Sequence, residues 1–162
     1  MRKMLLVVVS LVAFGSLATA QTQIETKWHC DKPTGMQKYD VGDPAGHGYA
    51  AQQGACSATA SKTGEKSGAY AEMQEWTKDS FTNRGRLIVT LDDGDKQTYT
   101  FDGMGNLSTK SATNKWKIVG GTGKHKSDKA SGSCTGKLND DQSSDWECTG
   151  TMAAAAATAP KK

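Results

Sequence analysis

Two cysteines stand at equal distances on either side of the most turn-like run in the chain, residues 139–143. Asp141 lies midway between Cys134 and Cys148, and the letters N-D-D-Q-S around it are typical of turns. A hairpin centred on Asp141 places the cysteines opposite each other. Facing Cα atoms of antiparallel strands lie about 4.5–5.5 Å apart, which is within disulfide reach. We therefore predict a disulfide-bridged β-hairpin near the C-terminal end of the chain.

The two arms of this hairpin have the period of a strand. Small or apolar residues recur at every second position, which predicts one buried face on each arm. The two faces hold Gly132, Cys134, Gly136 and Leu138 on one arm, and Trp146, Cys148, Gly150 and Met152 on the other.

A glycine-rich turn precedes the hairpin. Trp116 and Ile118 alternate with lysines and predict a half-buried strand. The next four residues are Gly120, Gly121, Thr122 and Gly123. Three glycines in four positions indicate backbone angles with positive φ, which glycine adopts at low cost. We interpret these four residues as a structural turn.

The run W-K-I-V-G-G-T-G-K, residues 116–124, resembles the G-G-T-G or G-G-A-G turn of the allene oxide cyclase and dirigent families. It is still more similar to small secreted bacterial proteins with an allene-oxide-cyclase-type barrel. The resemblance covers residues 116–132 and implies an eight-stranded antiparallel barrel. The motif marks a fold, and no position here matches the catalytic residues of the cyclases. No activity follows from the shared fold.

The first twenty residues have the three parts of a secretory signal: a basic start, an apolar run over residues 4–17 and the small residues Ala18-Thr19-Ala20. The apolar run is shorter than the ~20 residues that a membrane span needs. We predict cleavage after Ala20, so that the mature protein begins at Gln21. We expect it to be periplasmic or secreted, without stable membrane insertion after cleavage.

The remaining chain is poor in aliphatic residues. Only 12 of the 142 residues after Ala20 are Leu, Ile, Val or Phe. All four cysteines lie beyond the leader, and an even number in an oxidising compartment predicts two disulfides. Besides Cys134–Cys148, the midpoint argument favours Cys30–Cys56. The main alternative is Cys30–Cys148, because closure of a barrel would bring the first and last strands together.

The pattern predicts about eight strands in one domain. We place strands at 24–30, 48–60, 69–77, 85–91 and 97–101, a further strand leading to Trp116, and the two arms of the cysteine hairpin. Residues 31–46 are predicted as a loop, residues 61–68 and 103–106 as turns, and Asp93-Gly94 as a hairpin tip. The domain spans residues 21–152, and residues 153–162 form a low-complexity tail.

No catalytic, metal or cofactor site is predicted. The glycine turn lacks the glycine and the Ser or Thr of a phosphate-binding loop. The acidic tip of Asp92, Asp93 and Asp95 lacks the spacing of a calcium loop, and the cysteines lack zinc-finger spacing. The histidines His29, His47 and His125 are scattered, and no nucleophile elbow accompanies them.

Charge gives little indication of a partner. Loss of Arg2 and Lys3 with the leader reduces the net charge from +3 to +1, so we expect no nucleic-acid binding. Six lysines crowd one region with a single acid, which would suit an anionic surface or, as we favour, the solvent face of strands. They are Lys110, Lys115, Lys117, Lys124, Lys126 and Lys129.

The four tryptophans leave two interpretations open. Trp28, Trp76, Trp116 and Trp146 either fill the barrel, which we favour, or line a cavity for one small ligand. If a ligand enters, we expect it to contact Trp116 or Trp146. We expect a non-enzymatic protein that at most binds a small apolar ligand. An isomerase or cyclase of the allene oxide cyclase type is the alternative. A charged group inside an open cavity would favour that alternative.

Overall fold

The protein is a closed antiparallel β-barrel of eight strands with one additional strand, as a computed structural model describes it for residues 21–44 and 46–153. The strands are β1 (Thr22–Cys30), β2 (Gly35–Asp40), β3 (Gly48–Ser61), β4 (Glu65–Trp76), β5 (Ser80–Leu91), β6 (Lys96–Asn106), β7 (Ser111–Gly121), β8 (Ala130–Leu138) and β9 (Ser144–Met152). A 3₁₀ helix occupies Gly123–His125. The barrel predicted from the sequence is confirmed.

The barrel closes because β1 pairs with β9 on one side and with β3 on the other. β3 is long enough to serve two partners. Its C-terminal part pairs with β1, and its N-terminal part pairs with β2. The prediction of a loop over residues 31–46 is therefore wrong for Gly35–Asp40. The backbone N–H groups of Asp31 and Thr34 also donate to β3. β1 and β2 therefore pair with β3 as one strand with an interruption between them.

Two other boundaries differ from the predictions. Residues 103–106 belong to β6 rather than to a turn, and the chain reverses at 107–110 instead. β4 begins at Glu65, inside the stretch predicted as the turn 61–68. The polar and glycine residues in these places sit in strands because neighbouring strands supply a complete hydrogen-bond ladder.

Both predicted disulfides are confirmed. Cys30 faces Cys56 between β1 and β3, and Cys134 faces Cys148 between β8 and β9. The Cys30–Cys148 alternative is wrong, although β1 and β9 are neighbours. Cys30 faces Ser144 on β9, which leaves Cys148 four residues further along the strand, roughly 13 Å away. Two intact disulfides suit an oxidising, extracellular-type environment.

Large inward-pointing side chains lie over glycines on the adjacent strand. A side chain at any of these glycines would place its Cβ within 2.7 Å of the facing ring. The pairs are Gly48–Trp76, Gly54–Tyr70, Gly85–Phe101, Gly105–Phe81, Gly132–Trp116 and Gly136–Trp146. Glycine in a strand weakens the strand by itself, and a ring packed across it restores buried apolar contact. The barrel thus obtains a core from few aliphatic residues.

One end of the barrel is filled. Ile24, Val89, Leu91 and Ile118 are each at most 4% exposed, and Tyr99 packs against Trp116 with ring centroids 5.4 Å apart. The Tyr99 hydroxyl donates to Gln97 Oε1, and Gln97 Nε2 donates to Asp128. Apolar packing and a buried polar network together close this end.

The glycine turn seals the same end. Of its three glycines only Gly123 has a positive φ, at 51°, so the predicted positive φ is confirmed at that glycine alone. Gly121 is needed for another reason, because a Cβ there would lie 2.4 Å from the carbonyl oxygen of His125. The Thr122 N–H donates to the carbonyl of Lys96, and the Thr122 hydroxyl donates to Asp95. The turn is thereby fixed to the β5–β6 hairpin, as its structural interpretation requires.

The predicted signal sequence and nearly all of the predicted tail lie outside the described residues, so cleavage after Ala20 stays a prediction. Within residues 21–44 and 46–153, no helix is long and apolar enough to cross a membrane.

Candidate functional site

The other end of the barrel holds an interior cavity of about 610 Å³. It extends from the core to the turns between β4 and β5 and between β8 and β9. The walls are mainly aromatic and aliphatic, with Trp28, Tyr70, Leu87, Phe101, Trp116 and Trp146 among them. The interior is therefore filled at one end and open at the other. Our preference for a completely filled barrel is wrong.

Trp116 and Trp146, the predicted ligand contacts, both line this cavity. Trp116 is 7% exposed and lies across Gly132 and Gly150, with its indole N–H without a hydrogen-bond acceptor. Trp146 is less buried, and its indole N–H donates to Ser144 Oγ at 2.9 Å. The two rings belong to the same wall, and contact with a ligand stays a prediction.

A carboxyl group lies inside the barrel among three amides. Glu72 is on β4, on the inward face that also carries Tyr70 and Trp76. Gln74 Nε2 donates to its Oε1 and Asn83 Nδ2 donates to its Oε2, each at 2.8 Å, and Gln52 Nε2 also donates to Oε1. The barrel register produces this convergence, since Gln52 faces Glu72 and Gln74 faces Asn83 across adjacent strands.

The environment of Glu72 changes its acidity. Removal from water is the largest effect and raises the pKa of the Glu72 carboxyl above its ordinary value of 4.5. The hydrogen bonds from Asn83, Gln52 and Gln74 act in the opposite direction, because they stabilise the ionised form. Burial also raises the pKa of Tyr70 on the same strand to about 12. Among the described residues, no Lys, Arg or His nitrogen lies within 4.0 Å of the Glu72 carboxyl.

The polar groups form a band around half of the wall. It continues from Gln52, Glu72 and Asn83 to Asn114 on β7, whose Oδ1 lies over Gly103 on β6. Three carbonyl oxygens of this band, Gln52 Oε1, Asn83 Oδ1 and Asn114 Oδ1, are buried and accept no hydrogen bond from the part of the chain that the structure describes. Asn83 is only 7% exposed. We call Gln52, Glu72, Gln74, Asn83 and Asn114 the polar band.

The polar band is not among the sites predicted from the sequence, although a signal for it exists. Tyr70 and Trp76 fall within the strand predicted at 69–77, and a period of two places both on one face with Glu72 and Gln74 between them. Asn114 shares parity with Trp116 in the same way. A carboxyl and amides between aromatic core positions are the pattern that would have indicated a polar interior.

Two lysines lie at the mouth of the cavity, and an ion pair lies near it on the outer face of the barrel. Lys38 and Lys78 line the mouth, and both are exposed. Near the β8–β9 turn, His29 Nδ1 lies 2.7 Å from Asp145 Oδ1, and this hydrogen bond raises the pKa of His29. Asn139 Nδ2 donates to the other Asp145 oxygen at 2.9 Å. The His29–Asp145 pair is largely solvated and lies on the outer face of the barrel, outside the cavity lining.

One cluster at the closed end has the composition of a metal site. Ligand atoms of Asp93, Asp95 and His125 lie within 4.8 Å of one another. Lys124 Nζ, however, lies 2.7 Å from Asp93, and the hydrogen bond between them is the main cause that lowers the Asp93 pKa to about 2. Asp95 accepts hydrogen bonds from Thr122 and from the Lys124 N–H. The cluster therefore has a structural explanation, since it fastens the glycine turn to the hairpin tip.

The six lysines that we assigned to a solvent face are all exposed. Two of them form ion pairs, Lys110 with Asp140 and Lys124 with Asp93.

Comparisons with known proteins add no family. Neither a scan against models of protein families nor a search of curated proteins finds a match to this chain, so the resemblance to allene oxide cyclases and dirigent proteins stays a prediction.

Proposed function

We propose that this protein is an exported barrel that binds one small, largely apolar molecule in its interior. The open cavity carries this proposal. Its volume of about 610 Å³ lies within the range of roughly 300–1,000 Å³ that is typical of small-molecule sites. Aromatic walls with a few fixed polar groups are likewise typical of such sites. Trp116 and Trp146 are the contacts that we expect to respond to the ligand.

The binding of an apolar fluorescent probe, N-phenyl-1-naphthylamine, tests this proposal. We expect its emission to rise on binding, and the variant Gln74→Trp should abolish the rise because the indole would occupy the cavity between Trp76 and Glu72. Met73→Trp is the matched control, since Met73 is 55% exposed on the outer face of the same strand. Equal probe binding by both variants, or no binding by the wild type, would contradict the proposal.

An isomerase or cyclase is the second candidate, because one observation favours it. Glu72 is an ionisable group inside an open cavity, and a carboxyl with a raised pKa can act as a general base or acid. We nevertheless prefer binding. Three amide donors already occupy the carboxyl oxygens, which suits a fixed charge better than a group that exchanges protons with a substrate.

Conjugation of a β,γ-unsaturated ketone, followed by ultraviolet absorbance, distinguishes the two candidates. Turnover by the wild type that is lost in Glu72→Gln would establish proton transfer by Glu72 and replace our preference. We expect no turnover above the rate in buffer.

A further inference from the structure

We infer that the ligand of this cavity carries a primary amine, and that the polar band receives this amine while the aromatic walls hold an apolar body. The inference rests on the proposed function and specifies its ligand class. The hydrogen-bond inventory of the polar band is the observation that carries it.

Three carbonyl oxygens of the polar band lack a hydrogen-bond donor among the described residues. They are Gln52 Oε1, Asn83 Oδ1 and Asn114 Oδ1. The amide groups of Gln52, Gln74 and Asn83 each donate to Glu72. A buried acceptor without a donor carries an uncompensated desolvation cost. A ligand group that brings several N–H donors removes this cost. An ammonium group has three donors and no acceptor, so it fits the polar band better than a hydroxyl does.

Charge points to the same group. The Glu72 carboxyl has only neutral amides as hydrogen-bond partners, and no cationic nitrogen of the described residues lies within 4.0 Å of it. A charge withdrawn from water is stable when it is paired, and an ammonium would pair it. A carboxylate or phosphate would instead bring a like charge next to Glu72 and further acceptors next to the unpaired carbonyl oxygens.

The walls are compatible with a cation. Tyr70, Phe101, Trp116 and Trp146 line the same cavity, and aromatic faces attract ammonium groups. A short apolar or aromatic body would pack on these rings, while its amine reaches the polar band.

The charges at the mouth of the cavity would favour an anionic ligand over an amine. Lys38 and Lys78 would attract an anion, and the Lys38 Nζ lies 5.9 Å from the centre of the Trp76 ring. Both lysines are exposed, so solvent and salt weaken their attraction. The Glu72 carboxyl inside the barrel is less screened, and we expect it to decide selectivity.

Three naphthalene compounds of nearly equal size test the inference by calorimetry on the oxidised protein: 1-naphthylmethylamine, 1-ethylnaphthalene and 1-naphthylacetate. We expect the amine to bind at least tenfold more tightly than the anion. Glu72→Gln keeps the shape of the side chain and removes its charge, and should reduce this ratio below threefold. Glu75→Gln removes the same charge from the outer face of β4 and should keep the tenfold ratio.

The outcomes separate the inference from the proposed function. If the neutral compound binds but the amine has no advantage, or the anion binds most tightly, the inference is wrong and the barrel still binds apolar molecules. If none of the three binds, both are wrong. Should Glu72→Gln fail to fold, Asn114→Leu removes an unpaired acceptor instead and should lower amine affinity alone. The order of the three affinities can be measured on the wild-type protein alone.

Discussion

Replacement of Gly136 by alanine should destabilise the barrel through a single contact, that with Trp146. An ideal Cβ at Gly136 would lie 2.5 Å from Trp146 Cε3 and 2.6 Å from Cζ3. Carbon atoms in contact prefer about 3.5–4.0 Å, so the ring must move by roughly 1 Å or more. Overpacking of this kind costs about 1–3 kcal/mol of the free energy of unfolding.

Gly136→Ala should stabilise the protein when the Trp146 ring is absent. In a Trp146→Ala background, alanine at 136 meets none of these ring atoms and gains about 0.5–1 kcal/mol, because glycine loses more backbone entropy on folding. The double-mutant cycle should therefore give a coupling free energy of about 1.5–4 kcal/mol.

Urea unfolding followed by circular dichroism, with both disulfides oxidised, measures all four proteins of this cycle. Gly120→Ala is the control. Gly120 lies in the preceding strand without a positive φ, and an added Cβ has no neighbour within 4 Å. We expect it to stabilise the protein by about 0.5–1 kcal/mol, because only the entropy gain applies there. A coupling free energy below about 0.5 kcal/mol between Gly136 and Trp146 would refute the idea that these glycines accommodate the rings.

Three further predictions concern the framework. Gly123→Ala should cost about 1 kcal/mol or more in urea unfolding, because Gly123 has a φ of 51° and its Cβ would meet Asp95; an unchanged midpoint would contradict this. Removal of either disulfide should lower the free energy of unfolding by about 2–5 kcal/mol. The Cys30–Cys56 bridge should contribute about 0.5 kcal/mol more than Cys134–Cys148, because it closes the longer loop, with a sequence separation of 26 against 14. A larger loss on removal of Cys134–Cys148 would show that loop entropy is not decisive. NMR titration should place the pKa of His29 above 6.5, and Asp145→Asn should return it towards that value. The pKa of Asp145 is lowered, chiefly by the hydrogen bond from Asn139 and next by that from His29. The contribution of the His29–Asp145 pair to stability is therefore largest between the ordinary pKa values of 3.8 and 6.5. It is lost as pH rises through the raised pKa of His29 or falls through the lowered pKa of Asp145.

Local patterns along the chain are enough to predict most strands and both disulfides. Alternation at Trp116 and Ile118 and around the cysteines predicts strands because the side-chain period of a strand is two, whatever surrounds it. Asp141 lies midway between its cysteines, and a hairpin makes that symmetry a spatial one. The same argument pairs Cys30 with Cys56 correctly. The midpoint does not reveal β2, which lies between the two cysteines. Two successive strands that pair with one long strand have the same midpoint as a single hairpin.

The contents of the barrel interior depend on how the strands assemble, which local patterns do not specify. The parity of Glu72 within β4 is visible in the sequence, but its meeting with Gln52 and Asn83 depends on the register of three strands. Barrel closure then removes these groups from water, while the buried aliphatic residues and Tyr99 fill one end. Space therefore remains at the other end, around a carboxyl and unpaired amide oxygens. The stagger between strands sets this arrangement, and stagger is a property of the closed sheet as a whole.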